Sequence, residues 1–215
     1  MTTNWEEEAD RLVAESAGDP TGWFDRLYAA GAAGRVDMPW DRVDPHPVLA
    51  EWASGLTGAG RRAVVVGSGL GADAAYLTEL GFDALGFDIS PTAVGIARQR
   101  FPGTRYQAAD LLDLPEDWLR AFDLVVENIT VQALPDPPRR QAIGNVSRLV
   151  APGGTLLAVA AVYSDGAPPG PPWPLRRKEV EAFAADGLTP VRIEIVPVPG
   201  RPGDRRWRAE FRREA

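Results

Sequence analysis

The stretch Ala63 to Asp88, AVVVGSGLGADAAYLTELGFDALGFD, constrains this chain more than any other part of it. Ala63, Val64, Val65 and Val66 form a short unbroken apolar run rich in β-branched residues, the pattern of a parallel strand covered on both faces. Gly67, Gly69 and Gly71 then mark a sharp turn where the backbone can take positive φ and press against a ligand with no Cβ in the way. A helix is predicted over 73–80, with Ala75, Leu77 and Leu80 turned to the sheet and Gly81 as its stop. Phe82 to Phe87 reads as the next strand, and Asp88 at its tip offers a carboxylate able to accept both hydroxyl hydrogens of a ribose. Glycine turns also close purely structural connections. Joined to an acid at the end of the following strand, this one predicts a nucleotide-type cofactor. Its spacing leaves that cofactor open: GSGLGA satisfies G-x-G-x-G through Gly67, Gly69 and Gly71, and the dinucleotide pattern G-x-G-x-x-A through Gly67, Gly69 and Ala72.

The rest of the chain narrows the chemistry. With 215 residues, 45% of them hydrophobic, it can bury one substantial core. No apolar run is long enough to span a bilayer, and MTTNWEEEAD has no basic segment leading into an apolar one, so a cytoplasmic location is expected. The absence of cysteine excludes disulfides, thiolate metal sites and a cysteine nucleophile, and a single histidine, His46, excludes a histidine-rich metal site; no metal is expected. A formal charge of −7 argues against general nucleic-acid binding, which depends on neutralising phosphates. The expected partner is a small molecule, with no nucleic acid or membrane, and the chain a monomer or homodimer. In RRWRAEFRR, Trp207, Ala209 and Phe211 alternate with Arg206, Arg208, Glu210 and Arg212, which predicts a strand with its arginines toward solvent rather than an anion-binding patch.

Helix-like spacing over residues 4–35 and a proline- and acid-rich loop over 36–46 predict an N-terminal helical extension, 1–46, acting as a lid on a domain spanning 47–215. Within that domain a short helix is expected over 47–56. Ser90 with Pro91 marks a helix start, Arg105 to Ala108 a third strand, Pro115 to Leu119 a short helix and Phe122 to Glu127 a fourth strand. Pro137 to Val150 reads as a helix, and Gly154 to Val162 as a fifth strand entered through the turn Ala151-Pro152-Gly153. Strands alternating with helices imply an α/β fold with a doubly wound, mostly parallel sheet. A helix over 176–185 precedes two runs, 189–198 and 205–213, that form an antiparallel hairpin joined by PGRPGD and complete seven strands.

That hairpin separates the two cofactor readings. A dinucleotide-binding domain continues as a second βαβαβ half, whereas five parallel strands finished by an antiparallel pair outline the class I S-adenosylmethionine-dependent methyltransferases. VVVGSGLGADAAYL resembles that family's first motif, GFDIS its second, AADLLDLP the segment edging the adenine, FDLVVENITVQAL its fourth strand and LVAPGGTLLAVA its fifth, in the family's order over residues 61–162. The resemblance implies a Rossmann-like methyltransferase fold, S-adenosyl-L-methionine as cofactor, and methyl transfer to a small-molecule acceptor by in-line displacement governed mainly by positioning. A non-catalytic S-adenosylmethionine or S-adenosylhomocysteine sensor and an NAD-dependent oxidoreductase are the alternatives. GWFDRLYAAG, MPWDRVDPHPVL and GPPWPL are similar to the thiopurine and halide methyltransferase branch at Trp40, Asp41, Gly170 and Trp173, although the segment from Glu127 to Gln132 departs from that branch.

The expected cofactor-binding set is Gly67, Ser68, Gly69, Gly71, Asp73, Asp88, Ile89, Asp110, Leu111 and Glu127. Trp40, Asn128, Tyr163 and Trp173 are the expected acceptor contacts, the tryptophans as an aromatic wall. A sulfonium methyl is already activated, so a general base is not required. Should the acceptor need one, Glu127, His46 and Asp165 are the candidates.

Overall fold

The computed structural model describes residues 3–16, 18–166 and 170–215. Three helices precede the main sheet: α1 (Trp5–Glu15), α2 (Trp23–Ala32) and α3 (Pro47–Trp52). The sheet comprises β1 (Arg62–Val66), β2 (Asp83–Asp88), β3 (Arg105–Ala108), β4 (Phe122–Asn128), β5 (Val150–Ala161), β6 (Leu188–Val198) and β7 (Arg201–Arg213). Between the strands run α4 (Ala72–Glu79), α5 (Pro91–Arg100), α6 (Pro138–Leu149) and α7 (Arg177–Glu181).

The strand order is β3-β2-β1-β4-β5-β7-β6, parallel throughout except where β7 pairs with β5 and β6. This is the doubly wound, mostly parallel seven-stranded sheet with an antiparallel C-terminal hairpin that the sequence predicts. Strand order reverses at β1, so a crevice opens beyond the carboxyl ends of β1 and β4.

The unbroken apolar run of β1 reflects burial on both faces. Ala63 and Val65 pack with Leu49, Leu77 and Val94, while Val64 and Val66 enter the opposite core with Phe122, Leu149 and Phe183. Each fully buried valine contributes about 1.5–3 kcal/mol. The start of α5 is set locally: Pro91 occupies its first position, and the Ser90 hydroxyl accepts from the Ala93 amide at 3.0 Å.

A third apolar cluster seats the N-terminal helices on the domain, with Leu12, Trp23, Leu27 and Met38 packed against Leu70 and Ala93. Asp25 of α2 adds a polar anchor, its Oδ1 accepting from the Ser90 hydroxyl at 2.6 Å and the Thr92 amide at 2.9 Å. Arg100 donates to Asp41 at 2.6 Å, which ties the following loop to α5.

Three boundaries differ from the sequence reading. The turn Ala151-Pro152-Gly153 lies within β5 as a bulge, because Val150 already pairs with Phe122 before Thr155 pairs with Leu124. Helix α7 stops at Glu181, after which the Phe183 and Ala184 amides close tighter turns onto Val180 and Glu181. In the hairpin, Val198 pairs with Arg201 and Pro197 with Arg205, so the turn shrinks to Pro199-Gly200 and residues 202–204 bulge from β7. The alternation of β7 holds, with Trp207, Ala209 and Phe211 buried. It also carries Arg213 onto the core face, where the guanidinium donates to the carbonyls of Val150 at 2.8 Å and Ser147 at 3.0 Å and to Asp186 Oδ2 at 2.9 Å. No helix among the described residues is long and apolar enough to cross a membrane.

Candidate active site

A cavity of about 330 Å³ occupies the crevice beyond β1, β2 and β4 and runs beneath the N-terminal helices. Gly67, Ser68, Gly69, Gly71, Asp73, Asp88, Ile89, Asp110 and Leu111 all line it, so nine of the ten expected cofactor contacts share one wall. Asp88 is held by the turns on either side, Oδ2 accepting from the Gly69 amide at 2.8 Å and Oδ1 from the Ser90 amide at 2.9 Å. Burial pushes its carboxyl up to about 6, against the pull of those amides on the charged form. Asp110 keeps one oxygen on the Leu112 amide at 2.7 Å.

The glycines serve the protein's own packing as well as any ligand. At Gly67, φ +57°, an added Cβ would lie 2.3 Å from Thr130 Cγ2; at Gly69, φ +51°, 2.8 Å from the Tyr28 hydroxyl; at Gly71, φ +99°, 2.8 Å from the Tyr106 hydroxyl. The space a side chain would need is therefore taken by Thr130, Tyr28 and Tyr106. Ile129, a β-branched residue on the same wall, also has positive φ, +61°. Such a backbone costs on the order of 1–3 kcal/mol and is held only by its surroundings, here including its amide's 2.9 Å hydrogen bond to the Val159 carbonyl.

Asp73, at the start of α4, organises the polar end of the cavity. Its carboxylate accepts from Arg42 at 3.2 and 3.4 Å, the His46 amide at 2.7 Å and Asn128 Nδ2 at 2.8 Å. His46 Nδ1 accepts from the Val48 amide at 3.3 Å, which leaves the proton of the neutral ring on Nε2. Burial pulls this imidazole down to about 4, outweighing the opposing effect of Asp73, so it is uncharged near neutrality. Its geometry makes it a donor rather than the base the sequence allowed.

Trp40 forms part of the aromatic wall, edge-on to Trp5 at 5.0 Å and to Tyr28 at 6.4 Å between ring centroids. Four expected site residues do not line the cavity. Glu127 folds back on its own following turn, Oε1 accepting from the amides of Thr130 at 2.7 Å and Val131 at 3.0 Å, and burial pushes its carboxyl up to about 7. Asp165 is solvent-exposed. Tyr163 is covered by the Arg176 guanidinium 3.5 Å from its ring, and Trp173 faces Arg139 at 5.8 Å while its neighbours Pro171 and Pro172 reach the cavity.

The sequence reading missed Tyr28, Phe24, Arg42, Thr130, Arg201 and Arg206, all of which line the cavity. Tyr28 and Phe24 lie in a segment whose helical spacing was visible, but spacing marks a buried face without naming what it covers. Thr130 and Arg42 depend on contacts across 64 and 31 residues, for which a single sequence holds no signal.

Residues 64–156 match a sequence family described as a methyltransferase domain. No curated protein matches the chain. Among solved structures it is similar to a protein from work on conversion of a disulfide bond into a thioacetal group during echinomycin biosynthesis, with 21% identity over 89% of this chain and 92% of that one and a TM-score of 0.70. The N-methyltransferase NodS from Bradyrhizobium japonicum WM9, in complex with S-adenosyl-L-homocysteine, is 20% identical over 99% and 100% of the chains, with a TM-score of 0.63. The Burkholderia thailandensis 1,6-didemethyltoxoflavin-N1-methyltransferase is 20% identical over 98% and 91%, with a TM-score of 0.64. Residues 64–156 thus carry a methyltransferase domain, and the chain shares the fold of these S-adenosylmethionine-dependent methyltransferases.

Proposed function

We propose that the chain transfers a methyl group from S-adenosyl-L-methionine to a small-molecule acceptor, by in-line displacement in which the protein positions the reacting groups and excludes water. The observation that carries this reading is the continuity of one cavity from Asp88 and the glycine turn to the aromatic wall at Trp40. The residues present fit the cofactor. Beside the Asp88 carboxylate, Ser68 Oγ, Asn128 Oδ1 and Trp40 Nε1 are buried polar atoms with no protein partner among the described residues, and a ligand bearing hydroxyl, amino and carboxyl groups can satisfy them. Asp88 would hold the ribose, Ile89, Asp110 and Leu111 would border the adenine, and Asp73 with Asn128 would face the amino-acid end. When bound, the cofactor supplies an electrophilic methyl on a sulfonium, which passes to a lone pair of the acceptor as the carbon–sulfur electron pair stays with sulfur. Trp40, Trp5 and Phe24 would exclude water from that region, and the uncharged His46 could donate from Nε2 to a bound ligand. The similar 1,6-didemethyltoxoflavin-N1-methyltransferase, solved with bound 1,6-didemethyltoxoflavin, supports this acceptor class.

The likeness to the thiopurine and halide branch rests on three segments, GWFDRLYAAG, MPWDRVDPHPVL and GPPWPL. All three reach the cavity, through Phe24 and Tyr28, through Trp40, and through Pro171 and Pro172, while Trp173 itself packs outside it. The methyl-transfer reading does not depend on that branch's acceptors. The test is incubation with radiolabelled S-adenosylmethionine and a panel of small amine, hydroxyl, thiol and carboxylate acceptors. Labelled product with any of them supports the proposal, whereas binding of S-adenosylhomocysteine without turnover on the whole panel supports a sensor.

Trp40→Ala tests the aromatic wall. Burying an aromatic against a ligand contributes about 1.5–3 kcal/mol, so kcat/KM is expected to fall at least about tenfold in folded protein. An unchanged kcat/KM with a lowered melting temperature would place Trp40 in the core instead.

Asp88 makes cofactor affinity pH-dependent. Its folded value, about 6, lies above the ordinary 3.8, so its contribution to the stability of the ligand-free fold is present below about pH 4 and lost as pH rises through 6. Ligand binding runs the other way, because the ionised carboxylate accepts ribose hydroxyls better. S-adenosylhomocysteine affinity is expected to be about tenfold weaker at pH ~5 than at pH ~7.5, where the group is almost fully ionised. Calorimetry across that range checks this, with Asp88→Asn expected to show a flat profile.

A further inference from the structure

The basic side chains at the cavity mouth are not explained by cofactor binding. Arg206 sits on β7 in register with Ala161 at the carboxyl end of β5 and with Val196 on β6, so neither cross-strand neighbour offers an acid. The two residues that follow on the same face of β7 are paired. Arg208 donates to Glu194 and Glu51, each at 2.9 Å, and Glu210 accepts from Trp52 at 3.1 Å. Arg206, one step nearer the cavity, donates to the Arg205 carbonyl at 2.9 Å, and among the described residues its buried Nε has no partner. Asp204, two residues earlier on β7, is the acid whose charge acts on Arg206, but no hydrogen bond joins the two among the described residues. Arg201 and Arg42 line the same cavity. Asp73 is occupied by Arg42, His46 and Asn128, so its charge is already engaged.

The guanidinium is half-buried: burial pulls Arg206 below its ordinary pKa, the Asp204 charge opposes this and Arg201 adds to it, while Arg42 is already paired with Asp73. Arginine nevertheless remains charged, and its planar fork matches a carboxylate. The same cavity is also lined by Trp40, Phe24, Leu134 and Pro171, which suit a flat apolar body.

We propose that the acceptor is an apolar, aromatic-class carboxylate whose anionic group is received by Arg206, with Arg201 and Arg42 beside it. The proposal rests on the methyl-transfer reading of this cavity and specifies its acceptor. The chemistry has a second source, the α-carboxylate of the cofactor, and the experiment distinguishes the two.

Wild-type protein is first titrated with S-adenosylhomocysteine by calorimetry. Failure to bind would remove the methyl-transfer reading itself and the proposal with it, and is seen before any acceptor is added. The saturated protein is then titrated with naphthoate, phenylacetate and cinnamate, each against its own primary amide. At least one carboxylate is expected to bind about tenfold more tightly than its amide. In Arg206→Gln that preference is expected to shrink to within about twofold, while S-adenosylhomocysteine affinity stays within about twofold of wild type. Arg206→Lys, which keeps the charge and loses the fork, is expected to retain part of the preference and serves if the glutamine variant does not fold. Three results would overturn the proposal: no carboxylate preferred over its amide by wild type, a preference that survives intact in Arg206→Gln, or a tenfold loss of S-adenosylhomocysteine affinity there, which would assign Arg206 to the cofactor.

Discussion

Asp88→Ala is expected to weaken S-adenosylhomocysteine binding at least about tenfold, and its thermal melt is expected to move little or upward. Each ribose hydrogen bond lost contributes roughly 0.5–1.5 kcal/mol, more to a charged acceptor. Against this, the substitution leaves the Gly69 and Ser90 amides without their carboxylate partner, at 2.8 and 2.9 Å in the wild type. It also removes a buried charge whose carboxyl burial pushes up to about 6, and this relieves the ligand-free fold near neutrality. The paired readout matters because loss of affinity with an intact melt identifies a ligand-facing role. Loss of both would identify Asp88 as structural.

Asp73→Ala is expected to have the larger effect on stability. The carboxylate is 8% exposed and accepts from Arg42 and the His46 amide of loop 36–46 and from Asn128 at the end of β4. Removing it leaves a partly buried guanidinium and a buried backbone N–H without partners, a class of change that costs about 3–5 kcal/mol. For a chain of this length that corresponds to a fall in melting temperature of roughly 10 °C. Asp73→Asn, which keeps some acceptor capacity, is expected to fall between that variant and wild type. A melt for Asp73→Ala within about 2 °C of wild type would mean that loop 36–46 is held by its apolar contacts alone.

What the sequence revealed and what it hid follow from the range of the interactions. The strand of Ala63 to Val66, the Ser90 cap and the tip position of Asp88 depend on neighbours within a few residues, and all stand as expected. Alternation along β7 placed Trp207, Ala209 and Phe211 correctly. It also assigned Arg206 to solvent, because a period of two identifies a face and not what that face borders; at Arg206 the face borders the cavity. Glu127 was misread for a related reason. As an acid near the end of a central strand it has the same local pattern as Asp88, but the turn after β4 presents two amides, from Thr130 and Val131, that draw the side chain back. The glycine turn was read as space for a ligand, and only the folded chain shows Thr130, Tyr28 and Tyr106 filling the positions of the missing Cβ atoms.

The central claim is that one cavity joins a cofactor half at Asp88 to an acceptor half at Trp40. A crystal structure of the wild-type protein with S-adenosylhomocysteine tests it most directly. The account predicts ribose hydroxyls on the Asp88 carboxylate, the adenine beside Asp110 and Leu111, and the sulfur facing an open chamber walled by Trp40. A ribose held elsewhere, or a chamber filled by the cofactor itself so that no acceptor can reach the sulfur, would contradict it.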